Sequence, residues 1–66
     1  MDMSLVEYIS NNKGNFKGRE VFILSLSKEG TDCKQYTKYK DLDKDLKSRE
    51  VMEVYEYENS IEIWIY

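Results

Sequence analysis

The chain has 66 residues, which is enough for one domain with a thin core over residues 1–66. It contains one cysteine and no histidine, so it lacks an internal disulfide and the four Cys or His ligands of a structural zinc site. Serine–histidine and cysteine–histidine catalytic pairs are excluded as well. A carboxyl group that works near neutral pH needs burial, which so small a domain provides poorly. We therefore expect a binding protein rather than an enzyme, with no metal and no cofactor.

The formal net charge of −3 is unevenly distributed along the chain. Residues 13–40 carry an excess of Lys and Arg, whereas residues 50–66 contain five glutamates and no base. No segment reaches the roughly 18 apolar residues of a membrane span. The N-terminus lacks the basic and apolar regions of a signal peptide, and a single thiol suits a reducing compartment. These features predict a cytoplasmic location.

The first predicted element is a helix over residues 3–12. Ser4 is a suitable N-cap, and Glu7 follows three residues later, which is the spacing of a capping box. Leu5, Tyr8 and Ile9 then form one apolar stripe along the helix. This stripe indicates a helix that packs one side against a core.

The next two elements are predicted strands. Residues 20–27 are rich in β-branched and aromatic side chains, and the continuous apolar run at 21–24 indicates a central position in a sheet. Residues 33–40 alternate weakly and are expected to pair with this strand across a turn at 28–31. Their polarity and lysines are typical of an edge strand.

The C-terminal half predicts a short helix followed by a hairpin. Residues 41–47 have acids near the start and a base near the end, which suits the helix dipole, and Leu42 and Leu46 are expected to face the core. Residues 51–57 and 61–66 favour two further strands. The order helix, strand, strand, helix, strand, strand predicts an α+β domain, a four-stranded antiparallel sheet with the N-terminal helix on one face.

Alternation divides the last strand into two faces. Its three isoleucines fall on one face and belong to the core, and the other face carries Glu62, Trp64 and Tyr66. Exposed aromatic side chains beside charge are typical of binding surfaces. The alternative is an aromatic cross-strand pair that only stabilises the hairpin.

The preceding strand has two possible registers. With a two-residue turn, Tyr55 lies opposite Trp64 and Tyr57 also faces outward. With a three-residue turn, both tyrosines point inward and Glu56 lies beside Trp64. A slip of one residue exchanges the two faces of a strand, so the sequence leaves this choice open.

We therefore predict a partner-binding surface of aromatic and acidic residues on this hairpin: Glu53, Tyr55, Glu56, Tyr57, Glu58, Glu62, Trp64 and Tyr66. The aromatic side chains would anchor the contact. The glutamates would complement a basic, nucleic-acid-binding groove of a host protein and speed association with it. The alternative is an acidic face that only keeps the protein soluble.

A basic stretch offers a rival surface. Lys34, Tyr36, Lys38 and Lys40 are alternate residues, which would project from one face of the second strand. Lysines with an interleaved tyrosine can hold a nucleic-acid strand by charge and stacking. The isoelectric point of about 4.9 argues against this function, since nucleic-acid-binding domains are usually basic.

Over most of its length the chain resembles small uncharacterised proteins from phages and mobile elements of Firmicutes. The resemblance is carried by MSLVEYI near the N-terminus, VFILSL in the first strand, YKDLDKDLKSREV in the linking segment and VYEYENSIEIWIY at the end. The longer basic strand CKQYTKYK and the more aromatic terminus depart from that pattern. Small phage proteins of this size, anti-CRISPR proteins among them, commonly antagonise host systems.

By analogy with that class, the resemblance implies an inhibitor that binds and blocks a bacterial defence protein, with a CRISPR effector complex as one candidate. Two other functions stay open. One is a structural or regulatory accessory module that forms a homodimer through an exposed sheet edge, and the other is a small nucleic-acid-binding domain. A membrane or a small-molecule substrate is not expected.

Overall fold

Helix α1 spans Leu5–Asn12 in a computed structural model that describes residues 2–66. Its N-terminus has the predicted capping box. The Glu7 backbone N–H donates to Ser4 Oγ at 3.2 Å, and the Ser4 N–H donates to the Glu7 carboxylate at 3.2 Å. These bonds satisfy donors that the first helical turn leaves free, which fixes where the helix begins.

Four strands form one sheet in the order β2-β1-β4-β3. They are β1 (Glu20–Ser27), β2 (Gly30–Tyr36), β3 (Val51–Glu56) and β4 (Ser60–Ile65). Between β2 and β3 lie a 3-10 turn and the short helix α2 (Lys44–Ser48). The α+β class and the predicted order of helices and strands are confirmed.

The sheet is mixed rather than fully antiparallel. β1 pairs antiparallel with β2, and β3 pairs antiparallel with β4, as expected for two hairpins. The hairpins join through β1 and β4, which run parallel and place Ile23 beside Ile63. The prediction of antiparallel pairing was wrong for these two strands, because the pattern along a strand does not determine the direction of its neighbour.

The core lies between α1 and one face of the sheet. Leu5 and Ile9 of α1 are completely buried together with the three isoleucines of β4. The cluster is completed by Tyr8, Val21, Ile23, Leu42 and Val51, and the half-buried Leu46 packs against it. The predicted inward orientation of both leucines is confirmed. Within residues 2–66 no helix is long and apolar enough to cross a membrane.

β2 ends earlier than predicted, at Tyr36 rather than at residue 40. Beyond it, the Asp41 N–H donates to the Lys38 carbonyl and the Leu42 N–H donates to the Tyr39 carbonyl, both at 3.1 Å. These bonds fold the segment into a 3-10 turn that brings Leu42 into the core. Burial of this leucine therefore overrides the alternation that favoured a longer strand.

The turn between β3 and β4 contains Glu58 and Asn59, and it is closed by the Tyr57 N–H, which donates to the Ser60 carbonyl at 2.8 Å. Tyr55 lies opposite Glu62 rather than Trp64, so neither predicted register is correct. With the predicted two-residue turn, Tyr55 would lie opposite Trp64. Glu62 is two residues from Trp64 on the same strand, and a shift by an even number of residues keeps Tyr55 on the same face as Trp64.

A bulge in β3 between Val51 and Glu53 changes the pairing there. Val51 lies opposite Ile65 and is completely buried, whereas Glu53 lies opposite Trp64 and is exposed. Met52 is the extra residue. The bulge thus allows Val51 to remain in the core while the rest of the strand keeps its register.

Candidate functional site

One face of the sheet is left open to solvent. Both helices and the hydrophobic core lie on the opposite side, and along β1 the burial alternates accordingly, with Val21 and Ile23 buried and Leu26 exposed. The strand positions of the uncovered side, called the open face below, are Glu20, Phe22, Leu24, Leu26, Thr31, Cys33, Gln35, Glu53, Tyr55, Ser60, Glu62 and Trp64. Tyr57 and Tyr66 continue the same alternation just beyond the ends of their strands.

Two rows of side chains cross the open face from β2 to β3. The first row is Cys33, Leu24, Trp64 and Glu53. The second row is Gln35, Phe22, Glu62 and Tyr55. Apolar and aromatic groups therefore occupy the centre of the face, and carboxylates lie between them.

Large hydrophobic side chains are unusually exposed on this face. Leu26 is 63% exposed and Tyr66 is 59% exposed, and Tyr55 and Tyr57 are also about half exposed. Among residues 2–66, the other large hydrophobic side chain with comparable exposure is Tyr39, which lies outside the face. Several exposed side chains of this kind on one face are typical of interaction surfaces, whereas single exposed hydrophobic residues are ordinary.

The two central aromatic side chains of the hairpin direct their polar atoms to glutamates on their own strands. The Tyr55 hydroxyl donates to the Glu53 carboxylate, and the Trp64 indole N–H donates to Glu62 Oε1 at 3.3 Å. Because strand pairing sets Tyr55 opposite Glu62 and Trp64 opposite Glu53, the four side chains form a checkerboard. Each carboxylate keeps further acceptor capacity, which an incoming cation can use.

The Glu53 carboxylate also raises the pKa of Tyr55. Its hydrogen bond holds the phenol proton, and its charge disfavours the phenolate. Tyr57 and Glu62 contribute in the same direction through their charges. Tyr55 is therefore a neutral hydrogen-bond donor at physiological pH.

The open face is acidic. Glu20, Glu53 and Glu62 lie on it, and none of its described strand positions is Lys or Arg. Lys34 of β2 lies on the helix side, next to Ile23. The face therefore attracts cationic groups and repels the phosphate backbone of a nucleic acid.

Most of the predicted partner-binding residues come together on the open face. Those that share it are Glu53, Tyr55, Tyr57, Glu62, Trp64 and Tyr66. Glu56 does not, because it lies opposite Ile61 on the helix side and forms an ion pair with Arg19 at 3.0 Å. Glu58 lies in the turn. The four glutamates of the predicted surface are thus divided among the open face, the helix side and the turn.

The predicted basic surface does not form on one strand face. Lys34 and Tyr36 lie on the helix side of β2, where the Tyr36 ring is 6.0 Å from the ring of Phe16. Lys38 and Lys40 lie beyond the end of the strand. The four residues therefore share no common strand face, and the two within β2 point away from the exposed aromatic groups.

The sequence prediction missed the contribution of β1 to the open face. The apolar run correctly indicated a central strand, but only one face of this strand is covered, and Phe22, Leu24 and Leu26 remain on the other. The signal that could have found them is the small amount of helix. Two short helices cannot cover both faces of a four-stranded sheet.

A cleft of about 240 Å³ lies on the helix side, at the β2 edge. It is lined by Ile23, Ser25, Asp32, Cys33, Lys34, Leu46 and Arg49. Its charged β2 residues are exposed, so solvent reaches it freely. Within residues 2–66 no three or more His, Cys, Asp or Glu side chains are grouped to hold a metal ion.

The open face is thus the part of the described structure whose composition departs most from an ordinary solvated surface. Comparison of the chain with protein-family models finds no match. Comparisons with curated proteins and with solved structures find no significant similarity either.

Proposed function

We propose that this protein is a binding domain without catalytic activity, whose open face docks onto a partner protein with a basic and partly apolar surface. The observation that carries the proposal is the group of exposed Leu26, Tyr55, Tyr57 and Tyr66 around the half-buried Trp64. Trp and Tyr dominate binding energy at protein interfaces, since they bury a large area at low cost in side-chain entropy.

The dimensions of the open face suit one contact patch. Strands lie about 4.8 Å apart and rise about 3.3 Å per residue, so four strands of six to eight residues present a surface roughly 20 Å on a side. A specific interface buries about 800 Å² on each partner. In plain area the face is roughly half of that, about 400 Å². It can therefore form the aromatic centre of an interface that the adjoining surface completes.

The charge of the face supports a basic partner. Glu53 and Glu62 are held beside the aromatic rings by hydrogen bonds, so their charges are positioned before the partner arrives. Preorganised charge of this kind speeds association and selects among partners. Basic side chains on the partner would replace part of the water around these carboxylates.

For the partner we propose a bacterial defence protein with a nucleic-acid-binding groove, such as a CRISPR effector complex. A groove of this kind offers both cationic side chains and apolar surface, which are the two features that complement the open face. Occupation of the groove would block the partner's own ligand. This is also the class of partner that the expected resemblance to small phage and mobile-element proteins implies.

A photo-crosslinking amino acid placed at Tyr55 or Tyr66 tests the surface. In a bacterial lysate, irradiation is expected to trap the same protein from both positions. The same group at Tyr39, an exposed tyrosine outside the open face, is the matched control and is expected to trap nothing specific. Trapping of the same protein from all three positions would contradict docking through the open face.

Affinity for the trapped and purified protein is then measured with variants of the face. Trp64→Ala combined with Glu62→Lys is expected to weaken binding about 30-fold or more, because it removes an aromatic anchor and reverses a charge. Tyr66→Ala combined with Glu62→Lys leaves the half-buried indole in place and is expected to weaken binding in the same direction. Tyr39→Ala combined with Glu29→Lys is the control and should bind like the wild type.

Two results would overturn the proposal. One is unchanged affinity in both open-face variants when circular dichroism shows them to be folded. The other is a gel shift with single-stranded nucleic acid at low salt that Lys34→Ala abolishes and the open-face variants leave intact, since this would favour the basic surface.

A further inference from the structure

The two edge strands of the sheet differ in how their outer edges are protected. At the β3 edge, the Val51 N–H donates to the Met3 carbonyl at 2.8 Å, and Ser4 forms an antiparallel bridge with Glu50. The bulge beside Val51 disturbs this edge further. β2 has a regular register over its seven residues, and within residues 2–66 its outer edge pairs with no strand. Such an edge is ready to pair with another chain.

β2 is only lightly covered by the rest of the molecule. On its helix side the Lys34 ammonium donates to the Asp41 carbonyl at 3.2 Å, and Leu46 and Arg49 line the cleft beside the strand. Each of its residues is exposed apart from Tyr36, which is half-buried against Phe16. The helices pack mainly against the centre of the sheet. A further strand can therefore lie beside β2 without displacing a helix.

The sequence of β2 is self-complementary about its middle residue, Cys33. Antiparallel pairing of two copies about an axis through Cys33 aligns all seven residues, from Gly30 to Tyr36. It places Asp32 of one copy opposite Lys34 of the other, and the symmetry repeats this pair. Opposite charges directly across two strands favour pairing.

Neighbouring registers are worse. In an antiparallel pair of identical strands, the symmetry axis lies midway between opposite residues. Opposite residues have side chains on the same face, and side chains alternate between faces along a strand. The axis must therefore pass through a residue rather than between two residues. An axis through Asp32 sets two aspartates opposite each other, and an axis through Lys34 sets two lysines opposite each other. Both axes also shorten the overlap of the strands. Charge and length therefore select the register centred on Cys33.

We propose that two copies of this chain pair through β2 in this register and form a symmetric dimer with a continuous eight-stranded sheet. The two open faces then lie side by side on the same surface, so the dimer can engage a partner at two sites. Pairing of single edge strands buries less than the roughly 1,000 Å² of a stable interface. The dimer is therefore in equilibrium with the monomer. This inference does not depend on what the open face binds.

Charge reversal tests the register by analytical ultracentrifugation over a wide concentration range. The wild type is expected to show a dimer that grows with concentration. Asp32→Lys and Lys34→Asp are each expected to remain monomeric, because like charges then face each other across the axis. Mixing the two variants in equal amounts is expected to restore dimers, since every acid again faces a base.

Controls for this experiment lie in the adjacent turn. Lys28→Asp and Glu29→Lys change the net charge by the same amounts but lie outside the paired segment. They are expected to dimerise like the wild type. If they lose the dimer as the β2 variants do, overall charge rather than the proposed register controls association.

Cys33 gives an independent readout. The axis brings the two thiols to the same face, on residues whose Cα atoms are about 4.5–5.5 Å apart. A short bis-maleimide, in which each thiol adds across one double bond, is expected to link two wild-type chains and to leave both single charge variants unlinked. A monomer at every concentration, a dimer indifferent to charge reversal or a dimer without this crosslink would overturn the proposal.

Discussion

The two faces of the sheet are made by the same strands but differ in composition: one packs against the helices and the other is open to solvent. On the covered face, β4 contributes Ile61, Ile63 and Ile65, which are completely buried under α1. On the open face, the same strand contributes the half-buried Trp64 between a carboxylate and an exposed tyrosine. The period-two alternation of single strands thus separates the residues that stabilise the fold from those of the proposed binding surface. Substitutions should therefore affect either stability or binding.

The largest expected effect is the loss of stability caused by a substitution on the covered face. Ile63→Ala is expected to reduce the free energy of unfolding by about 2–5 kcal/mol, because it leaves a cavity in the core. Stabilities of about 0.05–0.15 kcal/mol per residue are usual, so this loss would be a large fraction of the total stability. Leu26→Ala on the open face is expected to change stability by about 0.5 kcal/mol or less. Urea unfolding monitored by Trp64 fluorescence measures both, and equal losses would contradict the division of roles.

A smaller effect is expected at the start of the covering helix. Ser4→Ala removes the oxygen that accepts from the Glu7 N–H and is expected to reduce the free energy of unfolding by about 1 kcal/mol. Ser10→Ala, at an exposed position inside α1, is the matched control and should cause no loss. The same urea titrations measure both variants. A loss of equal size in the control would mean that the capping box does not fix the helix.

The smallest effect concerns the ionisation of tyrosines on the two faces. Burial raises the pKa of Tyr8 and Tyr36 on the covered face, whereas the hydrogen bond from Tyr55 to Glu53 raises the pKa of Tyr55 on the open face. Glu53→Gln is therefore expected to lower the pKa of Tyr55 and to leave the pKa of Tyr8 and of Tyr36 unchanged. Phenolate absorbance, with Tyr55→Phe to assign the signal, measures this.

The direction of the pH dependence follows from the raised pKa of Tyr55. The stability that this contact contributes is fully present below the usual pKa of tyrosine, and it is lost as pH rises through the raised value. Glu53→Gln should therefore flatten the alkaline end of the stability profile. A profile identical to that of the wild type would show that the hydrogen bond does not hold in solution.

Local signals in the sequence predicted much of the fold. The capping box at Ser4 and Glu7 depends on residues three apart, so the start of α1 could be predicted and is confirmed. The alternation in β4 depends on neighbouring residues, so its core face could be predicted as well. In each case the deciding interaction lies within a single element.

The features that the sequence did not predict depend on contacts between distant segments. The parallel direction of β1 and β4, the bulge beside Val51 and the pairing of Tyr55 with Glu62 each require knowledge of how two strands meet. The candidate surface was therefore predicted only for the hairpin that ends the chain. Leu24 and Phe22 join it because β1 lies next to β4.

The parallel pair also has a consequence for folding kinetics. Each hairpin can form early from contacts between neighbouring residues, but the partners Glu20 and Ser60 are separated by more than half of the chain. Closing so long a loop is entropically unfavourable before the two strands meet. The slow step in folding is therefore expected to be the docking of one preformed hairpin onto the other, with the seam between Ile23 and Ile63 as its nucleus.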